Sequence, residues 1–478
     1  MTIPKAWGNM RIVDKIWKCA YRPWDPENHK YLPLQNFVVI ALACAFDTMC
    51  MAAMVTLNED LQDKFGVSYT TASWGLTAYA ITFAGFIAFL GRVGDVIGNT
   101  WLFTCSTLLF SIFSLLCTVM PSFPAFAVFR ALQGVAGAGI VPSSFALIPM
   151  IFEDSAGTYL SILSMIFAGC FGLGFVLGGA FAMTDGGFRG LFYFVFGSMM
   201  VVSVFSFAKV LSIGYEMDHR TTLKERWNKV CELDMVATTV FILSSIMIVI
   251  GLTEGGKSWE EAKAYAVFIV GSLLFAGFLF WNIKYELLTS QLSRLKMKRL
   301  GQQLQKRSVL IPSSVMGLRN FSPAMLTVFL NYCCFLSSFY IINQYSMYAE
   351  KDSPIIASVK LCPIVIGLAL GNSVVIFRPQ TFSAKIGLIM GFLIMLCSTI
   401  ILIQLHLVHT LVFWKRLLPS GFLCGLRSGL YFPYMLSMTV GAAPHNLKGL
   451  ASGIMQTFGQ FGKEVAFSVL ASIIGNLG

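Results

Sequence analysis

The chain has 478 residues, of which 56% are hydrophobic and only 12% carry a charged side chain. Soluble domains have about a quarter of their residues charged, so this composition excludes a soluble globular protein and indicates one that crosses a membrane repeatedly. The formal net charge of +11 does not indicate nucleic-acid binding, because the basic residues stand in loops between apolar runs, where membrane topology explains them.

Apolar runs recur along almost the whole chain, and they approach or exceed the 20 or so residues that cross a bilayer as a helix. The strands of a membrane barrel would instead alternate in character over about 10 residues. The predicted fold class is therefore all-α, a polytopic membrane protein with about 13 to 14 transmembrane helices. The predicted spans are residues 37–57, 69–90, 101–120, 123–148, 157–182, 190–212, 234–253, 263–284, 320–345, 354–377, 382–405, 410–438 and 448–474.

Lysine and arginine predict the orientation of these spans. They are concentrated in the amino-terminal segment and in two long connections, which all lie on one side of the membrane if the spans alternate, and that side is the cytoplasm. With a cytoplasmic amino terminus, thirteen spans would place the carboxyl end outside the cell. Either one helix is missing from an even-numbered arrangement, or the count is off by one. The predicted organisation is a cytoplasmic amino-terminal segment (1–36), an amino-terminal six-helix bundle (37–212), a cytoplasmic connection (213–233), two intervening transmembrane helices (234–284), a basic cytoplasmic loop (285–319) and a carboxyl-terminal bundle without its last helix (320–478).

A single carboxylate, Asp47, stands near the middle of the first span, in the run IALACAFDTMCMAAMV. A charged aspartate at a bilayer centre costs roughly 2.5 to 3.5 kcal/mol on insertion scales, so such residues usually face a cavity or a partner. One interpretation is a proton carrier whose protonation follows the side of the membrane that it faces. The alternative is a carboxylate that caps a helix or pairs structurally inside the bundle.

The connection between the second and third spans reads GRVGDVIGNTW, from Gly91 to Trp101. Its glycines permit a tight turn, and Asp95 can accept hydrogen bonds from backbone N–H groups at a helix start or from Arg92. Taken by itself, this pattern predicts a turn between two helices and nothing more.

Four short motifs then stand in a distinctive order. The sequence has FDT from Phe46, SWGLTAY from Ser73, GRVGD from Gly91 and FRALQGVAGAG from Phe129. In this order the chain resembles the fourteen-span drug:proton antiporter branch of the major facilitator superfamily, and the fungal members associated with aminotriazole resistance look closest. The resemblance implies an alternating-access transporter with a substrate cavity between two six-helix bundles, driven by proton influx.

The resemblance also assigns roles to individual residues. It implies proton coupling at Asp47 and Arg130, and conformational motifs in the turn and in the fifth span. The turn positions are Gly91, Arg92, Gly94, Asp95 and Gly98, and the fifth-span positions are Gly174, Gly178 and Gly179. The small residues of the fifth span also predict close packing against another helix, which is the simpler account of them.

Two departures from the family pattern affect the expected mechanism. The turn motif usually has a basic residue after its aspartate and a basic pair at its end, whereas this chain has Val96, Asn99 and Thr100. The antiporter motif usually has a proline after its central glycine, whereas this chain has Phe175. The first departure argues against the usual gating role of the turn motif, and the second makes transport a firmer expectation than proton exchange.

The second half of the chain carries its own candidates. Glu464 is a possible second proton site, and Arg427 lies deep enough in its span to face a cavity. Polar and aromatic residues cluster in the ninth span, where aromatic faces suit an organic cation or simply pack between helices. The candidate cavity residues there are Asn331, Tyr332, Tyr340, Asn343 and Gln344.

The predicted function is secondary active transport, most simply proton-coupled export of a small organic or inorganic solute. The alternatives are a facilitator or importer without strict exchange, and a membrane sensor or scaffold that transports nothing. The chain has no glycine-rich phosphate loop followed by Lys and Ser or Thr, and no catalytic triad or metal cluster among its 5 histidines, so we predict neither a nucleotide pump nor an enzyme, and no cofactor. We expect a monomer in the plasma or vacuolar membrane that contacts lipid, protons and a small-molecule substrate.

Overall fold

A computed structural model describes residues 32–152, 155–210, 235–255, 262–294, 321–377, 384–407, 412–442 and 448–475. Within these ranges every regular element is a helix, and no strand occurs. The predicted segment 1–36 lies almost wholly outside the described residues, as do the predicted connection 213–233 and most of the basic loop 285–319.

A long helix stands at each of the predicted spans. The helices are α1 (Leu32–Thr56), α2 (Trp74–Ile97), α3 (Asn99–Val119), α4 (Phe123–Ile151), α5 (Ala156–Ala182), α6 (Gly187–Phe205), α7 (Met235–Gly255), α8 (Ala262–Arg294), α9 (Phe321–Gln344), α10 (Cys362–Phe377), α11 (Ala384–Ile403), α12 (Leu418–Ala442) and α13 (Lys448–Gly475). In the described part of the chain, nine helical segments are long and apolar enough to cross a membrane. The protein is therefore an integral membrane protein.

Several helices begin or end in ways that the sequence explains. α2 ends at Gly98, whose φ of 112° is accessible to glycine, and α3 starts at the next residue. A short helix, Asn58–Phe65, follows α1 and ends at Gly66 with φ 63°. Pro354 lies in the first turn of a second short helix, Pro354–Val359, which precedes α10.

The helices pack as two groups that meet along a central interface. In the first group α1 packs on α5 and α2 on α4, while α3 contacts α4 and α6. In the second group α9 packs on α13, and α12 contacts α10 and α11. The two groups meet where α5 contacts α10 and α12, and where α13 contacts α2 and α4. α7 and α8 pair with each other, and α7 touches α2 and α13 at the edge of this interface.

Glycine permits the closest helix contacts in both groups. A Cβ atom added at Gly178 of α5 would lie 2.4 Å from the backbone oxygen of Ala53 in α1. A Cβ atom at Gly425 of α12 would lie 1.9 Å from the backbone oxygen of Ile364 in α10. No real side chain tolerates these distances, so glycine at both positions is needed for backbones to approach this closely.

Candidate functional site

A cavity of about 90 Å³ lies between the two helix groups. Both groups line it, which is the arrangement expected of a cavity that opens alternately to either side. The lining residues are Thr48, Phe145, Ser164, Phe167, Phe171, Asn331, Tyr332, Phe335, Leu336, Leu368, Asn372, Ser428, Phe432, Gln456, Gln460 and Lys463.

Aromatic rings of α5 and α9 pack against each other next to the cavity. Phe175 of α5 stacks on Phe339 of α9, with ring centroids 5.7 Å apart and an interplanar angle of 10°. Phe171 meets the same ring edge-on at 5.2 Å. Beside them, the hydroxyl of Ser358 donates a hydrogen bond to the backbone oxygen of Phe175 at 3.0 Å. Phe175, where the family motif usually has proline, therefore ties the two groups together at this end.

Replacing Phe175 with Ala is expected to weaken the contact between the two helix groups, and we expect this contact to keep the cavity closed at this end. An aromatic pair contributes about 0.5 to 1.5 kcal/mol beyond its buried area, so the ratio of closed to open protein at this end should fall by about 2- to 12-fold. The measurement is downhill leak of the transported solute from proteoliposomes. Phe280→Ala is the matched control, because Phe280 is 66% exposed on α8. Equal leak in both variants would show that the stack does not hold the end closed.

Asp47 is buried beside the cavity, with 2% of its surface exposed. The hydroxyl of Tyr79 on α2 donates a hydrogen bond to its carboxylate. α4 passes directly over this pair, since a Cβ atom at Gly137 would lie 2.5 Å from the Tyr79 hydroxyl and 2.8 Å from the Asp47 carboxylate. The next residue, Thr48, lines the cavity. Asp47 also interacts electrostatically with Lys463, a lining residue of α13 in the opposite group.

Arg130 is fully buried near the start of α4, at the other end of the same network. Its Nε donates to the backbone oxygen of Gly75 at 2.8 Å, and its Nη1 donates to Oε1 of Gln133 at 2.5 Å. Its guanidinium carbon lies 4.6 Å from the centroid of the Tyr79 ring. Tyr79 therefore contacts Asp47 through its hydroxyl and Arg130 through its ring face, which connects the two residues that the sequence analysis singled out.

Replacing Arg130 with Lys is expected to destabilise the protein by about 1 to 2 kcal/mol, because an ammonium group cannot reproduce the two directed N–H donors. The Gly75 oxygen or the Gln133 amide then loses its partner in a buried site. Thermal unfolding in detergent measures this change. Arg189→Lys, at an exposed position on α6, serves as the control and should leave the midpoint unchanged. A normal midpoint for Arg130→Lys would show that one hydrogen bond suffices.

Only some of the predicted cavity residues in the second half of the chain line the cavity. Asn331 and Tyr332 line the cavity, and Arg427, which is 2% exposed, donates to the side-chain and backbone oxygens of Asn331. Three others are buried in α9 but do not belong to the described lining. They are Tyr340, Asn343 and Gln344. Of the second proton candidate, only the backbone is described, since the side chain of Glu464 lies outside the described residues.

The motif glycines do not line the cavity, and most of the predicted turn is helical, because α2 continues through Gly91 and Gly94 to Ile97 and only Gly98 separates it from α3. Gly94 accepts the backbone hydrogen bond of Gly98 at 2.9 Å, and a Cβ atom on Gly94 would lie 2.4 Å from the side-chain oxygen of Asn99. Gly91 faces Pro142 of α4. The side chain of Asp95 lies outside the described residues, so its partner stays a prediction.

Gly174, like Gly178, lies against α1. A Cβ atom on Gly174 would lie 2.6 Å from the backbone oxygen of Met49, and Gly179 is buried in the following turn. The predicted close packing of the fifth span is thus present. A role of these glycines in opening and closing the cavity stays a prediction.

A polar stripe on α13 faces the cavity, and none of its residues was among the predicted site residues. Gln456, Gln460 and Lys463 follow one another by four and three residues, which places them on one side of a helix. This spacing could have been found in the sequence, where the stripe interrupts an apolar run. The phenylalanines of the lining, such as Phe145 and Phe432, had no such signal, because phenylalanine is common throughout the chain.

The comparisons with known proteins agree with this geometry. Residues 37–466 match the sequence profile of the Major Facilitator Superfamily. The chain belongs to this superfamily. Its fold class is thereby confirmed, and its members are transporters rather than enzymes. The narrower fourteen-span branch and the aminotriazole-type relationship stay predictions.

Individual superfamily relatives are distant. The chain is 27% identical to "MFS-type transporter FPY5" of Fusarium mangiferae over 68% of its own length, which covers 52%, or about half, of that protein. It is 24% identical to "Puromycin resistance protein pur8" of Streptomyces alboniger, covering 94% of this chain and 82% of the relative. It is also 24% identical to "Multidrug efflux pump LfrA" of Mycolicibacterium smegmatis, covering 93% and 80%.

A solved structure shares the superfamily fold. The human organic anion transporter MFSD10 (TETRAN) superposes with a TM-score of 0.61 over 93% of this chain and 94% of that protein, at 13% sequence identity. At this identity the likeness concerns the fold alone.

Proposed function

We propose that this superfamily member is a secondary active transporter that exports a small organic or inorganic solute in exchange for protons by alternating access. The observation that carries the proposal is the position of Asp47. It is a buried carboxylate on α1 that interacts with Lys463, a cavity-lining lysine on α13 of the opposite helix group.

This position offers a physical route for coupling. Attraction between Asp47 and Lys463 acts across the interface between the two helix groups, and it is lost when Asp47 is protonated. A ligand or proton shifts a conformational equilibrium only if it interacts differently with the two conformations. Protonation of Asp47 meets this condition, because it removes a cross-interface attraction from the conformation described here.

Export is supported by the relatives rather than by the geometry. Several of them are named as efflux pumps or resistance proteins. An inward proton gradient can drive such export, since one elementary charge moved through 100 mV supplies about 2.3 kcal/mol. We further propose that the protein is a monomer of the plasma or vacuolar membrane, with its amino terminus in the cytoplasm, and that it belongs to the fourteen-span branch.

The test is transport by the purified protein in proteoliposomes, with and without an imposed pH gradient. An internal pH dye reports proton movement while solute movement is followed with a panel of labelled drugs and small inorganic solutes. Exchange requires that the gradient accelerate solute movement, and that the solute in turn move protons. A protein that moves solute equally well without the gradient is a facilitator, and one that moves nothing is a sensor or scaffold.

The facilitator is the second candidate, and specific residues favour it. Phe175 replaces the usual proline of the antiporter motif, and Val96, Asn99 and Thr100 replace basic residues of the turn motif. In the resembled family the antiporter motif is associated with exchange and the turn motif with gating. The gradient experiment separates the two candidates directly.

A further inference from the structure

We propose that the cavity binds an aromatic organic anion, whose carboxylate is held by Lys463 and whose ring lies against the phenylalanines of the lining. This inference names the substrate class of the proposed transporter and therefore rests on that function. It differs from the organic cation that the aromatic composition alone suggests.

The charges around the cavity favour an anion. Among the lining residues that the structure describes, Lys463 is the one charged side chain, and none is acidic. A second positive charge lies directly behind the lining, because the buried Arg427 donates to the side-chain oxygen of Asn331. Asp47 is the described carboxylate nearby; it lies outside the lining, accepts a hydrogen bond from Tyr79 and attracts Lys463, and its single negative charge is outnumbered by Lys463 and Arg427. The described surroundings are therefore net positive, which attracts anions in a cavity of low dielectric constant.

The aromatic rings form a continuous wall that leads to the lysine. Phe167 stacks on Phe145 at 5.9 Å, and Phe145 lies 6.4 Å from Phe432 across the interface of the two helix groups. Phe432 meets Tyr332 edge-on at 6.2 Å. The ammonium nitrogen of Lys463 lies 5.2 Å from the centroid of the Tyr332 ring. An aromatic body on this wall would present a carboxylate to the ammonium group.

Donor groups of the lining fit the same ligand. Lys463 donates through its ammonium group, and the amide of Gln456, whose oxygen accepts the Tyr332 hydroxyl, donates through its NH₂ group. A carboxylate, which only accepts hydrogen bonds when ionised, suits these donors better than an ammonium group does.

The test compares three matched probes on the purified full-length protein in detergent. Naphthoate, naphthamide and naphthylmethylammonium share a ring system and differ in charge, and their dissociation constants are measured by equilibrium binding at neutral pH. We expect naphthoate to bind at least about tenfold more tightly than naphthamide, because its carboxylate forms a charge-assisted hydrogen bond with Lys463. We expect naphthylmethylammonium to bind most weakly. Tightest binding of the ammonium probe, or equal binding of naphthoate and naphthamide, would overturn the proposal.

Substitutions test whether Lys463 causes the preference for naphthoate over naphthamide. Lys463→Gln should bring naphthoate to the affinity of naphthamide while leaving naphthamide binding unchanged, and Lys463→Arg should keep the preference. Lys415→Gln removes an exposed lysine outside the described lining and should behave as wild type. Retention of the preference in Lys463→Gln would overturn the role of this lysine even if anions bind.

The outcome is independent of proton exchange. If naphthoate binding depends on Lys463 but no solute movement responds to a pH gradient, the proposed exchange fails and the ligand class stands. If a pH gradient drives a cationic solute while none of the three probes binds, the proposed function stands and the aromatic anion is excluded.

Discussion

Replacing Asp47 with Asn is expected to uncouple solute movement from protons. The asparagine side chain keeps an oxygen that can accept the Tyr79 hydroxyl hydrogen bond, so the packing around this buried position is preserved. It cannot ionise, so it can neither carry a proton nor change its attraction to Lys463. The acceleration of transport by a pH gradient should fall by about 5- to 150-fold, which is the range of typical coupling free energies.

The experiment separates uncoupling from loss of folding. Solute exchange without any pH gradient is measured in the same proteoliposomes and should survive in Asp47→Asn. Asp63→Asn, which changes an exposed carboxylate after α1, is the control and should couple normally. If Asp47→Asn responds to the gradient as wild type does, Asp47 is structural, and Glu464 becomes the next candidate for the proton site.

Replacing Gly178 with Leu is expected to prevent α5 from packing on α1. The first carbon of any side chain here would lie 2.1 Å from the Thr56 hydroxyl oxygen and 2.8 Å from the Cα atom of Ala53. Overpacking of a core usually costs about 1 to 3 kcal/mol, and a leucine adds three further carbons to a contact that has no room for one. We therefore expect a loss above about 3 kcal/mol, seen as a large drop in the unfolding midpoint or in folded yield.

The same helix offers a matched control for this substitution. A Cβ atom at Gly169 of α5 meets no atom within 4 Å, so Gly169→Leu should be neutral or slightly stabilising through its higher helix propensity, by up to about 1 kcal/mol. Size-exclusion profiles of detergent-solubilised protein after graded heating measure both variants. Similar thermal midpoints for the two leucine variants would contradict this prediction, because they would show that separating α1 from α5 costs no stability.

The positions of the helices could be predicted from the sequence because a lipid bilayer restricts the structures that a backbone can form. Backbone groups cannot stay unpaired in a bilayer, so each long apolar run must become a helix. The fifth predicted span, 157–182, is accordingly close to α5, Ala156–Ala182. The predicted end of α8 at residue 284 is wrong, because the helix continues to Arg294. The continuation is polar, and hydropathy carries no information on where a helix ends outside the membrane.

Site residues were predictable only where a residue was unusual for its surroundings. Asp47 and Arg130 stand out in apolar runs, and both are buried in one connected network. Tyr79, which touches both, is an ordinary tyrosine in its sequence context, although it lies in a recognised motif. Of the polar residues in the ninth span, Asn331 reaches the cavity and Asn343 does not. Which face of α9 meets the cavity depends on its packing against α12 and α13, which sequence spacing within one helix cannot give.

By itself, the sequence determined that this protein is a helical membrane protein of the transporter type, because hydropathy, basic loops and four ordered motifs are local properties of the chain. The tertiary structure decided which helices face each other, that Phe175 stacks on Phe339 across the two helix groups, and that Asp47 lies within electrostatic reach of Lys463, which is far from it in the sequence. Contacts of that kind arise from the way two helix groups pack. Packing depends on the summed shapes of many side chains, and no single stretch of sequence contains that information.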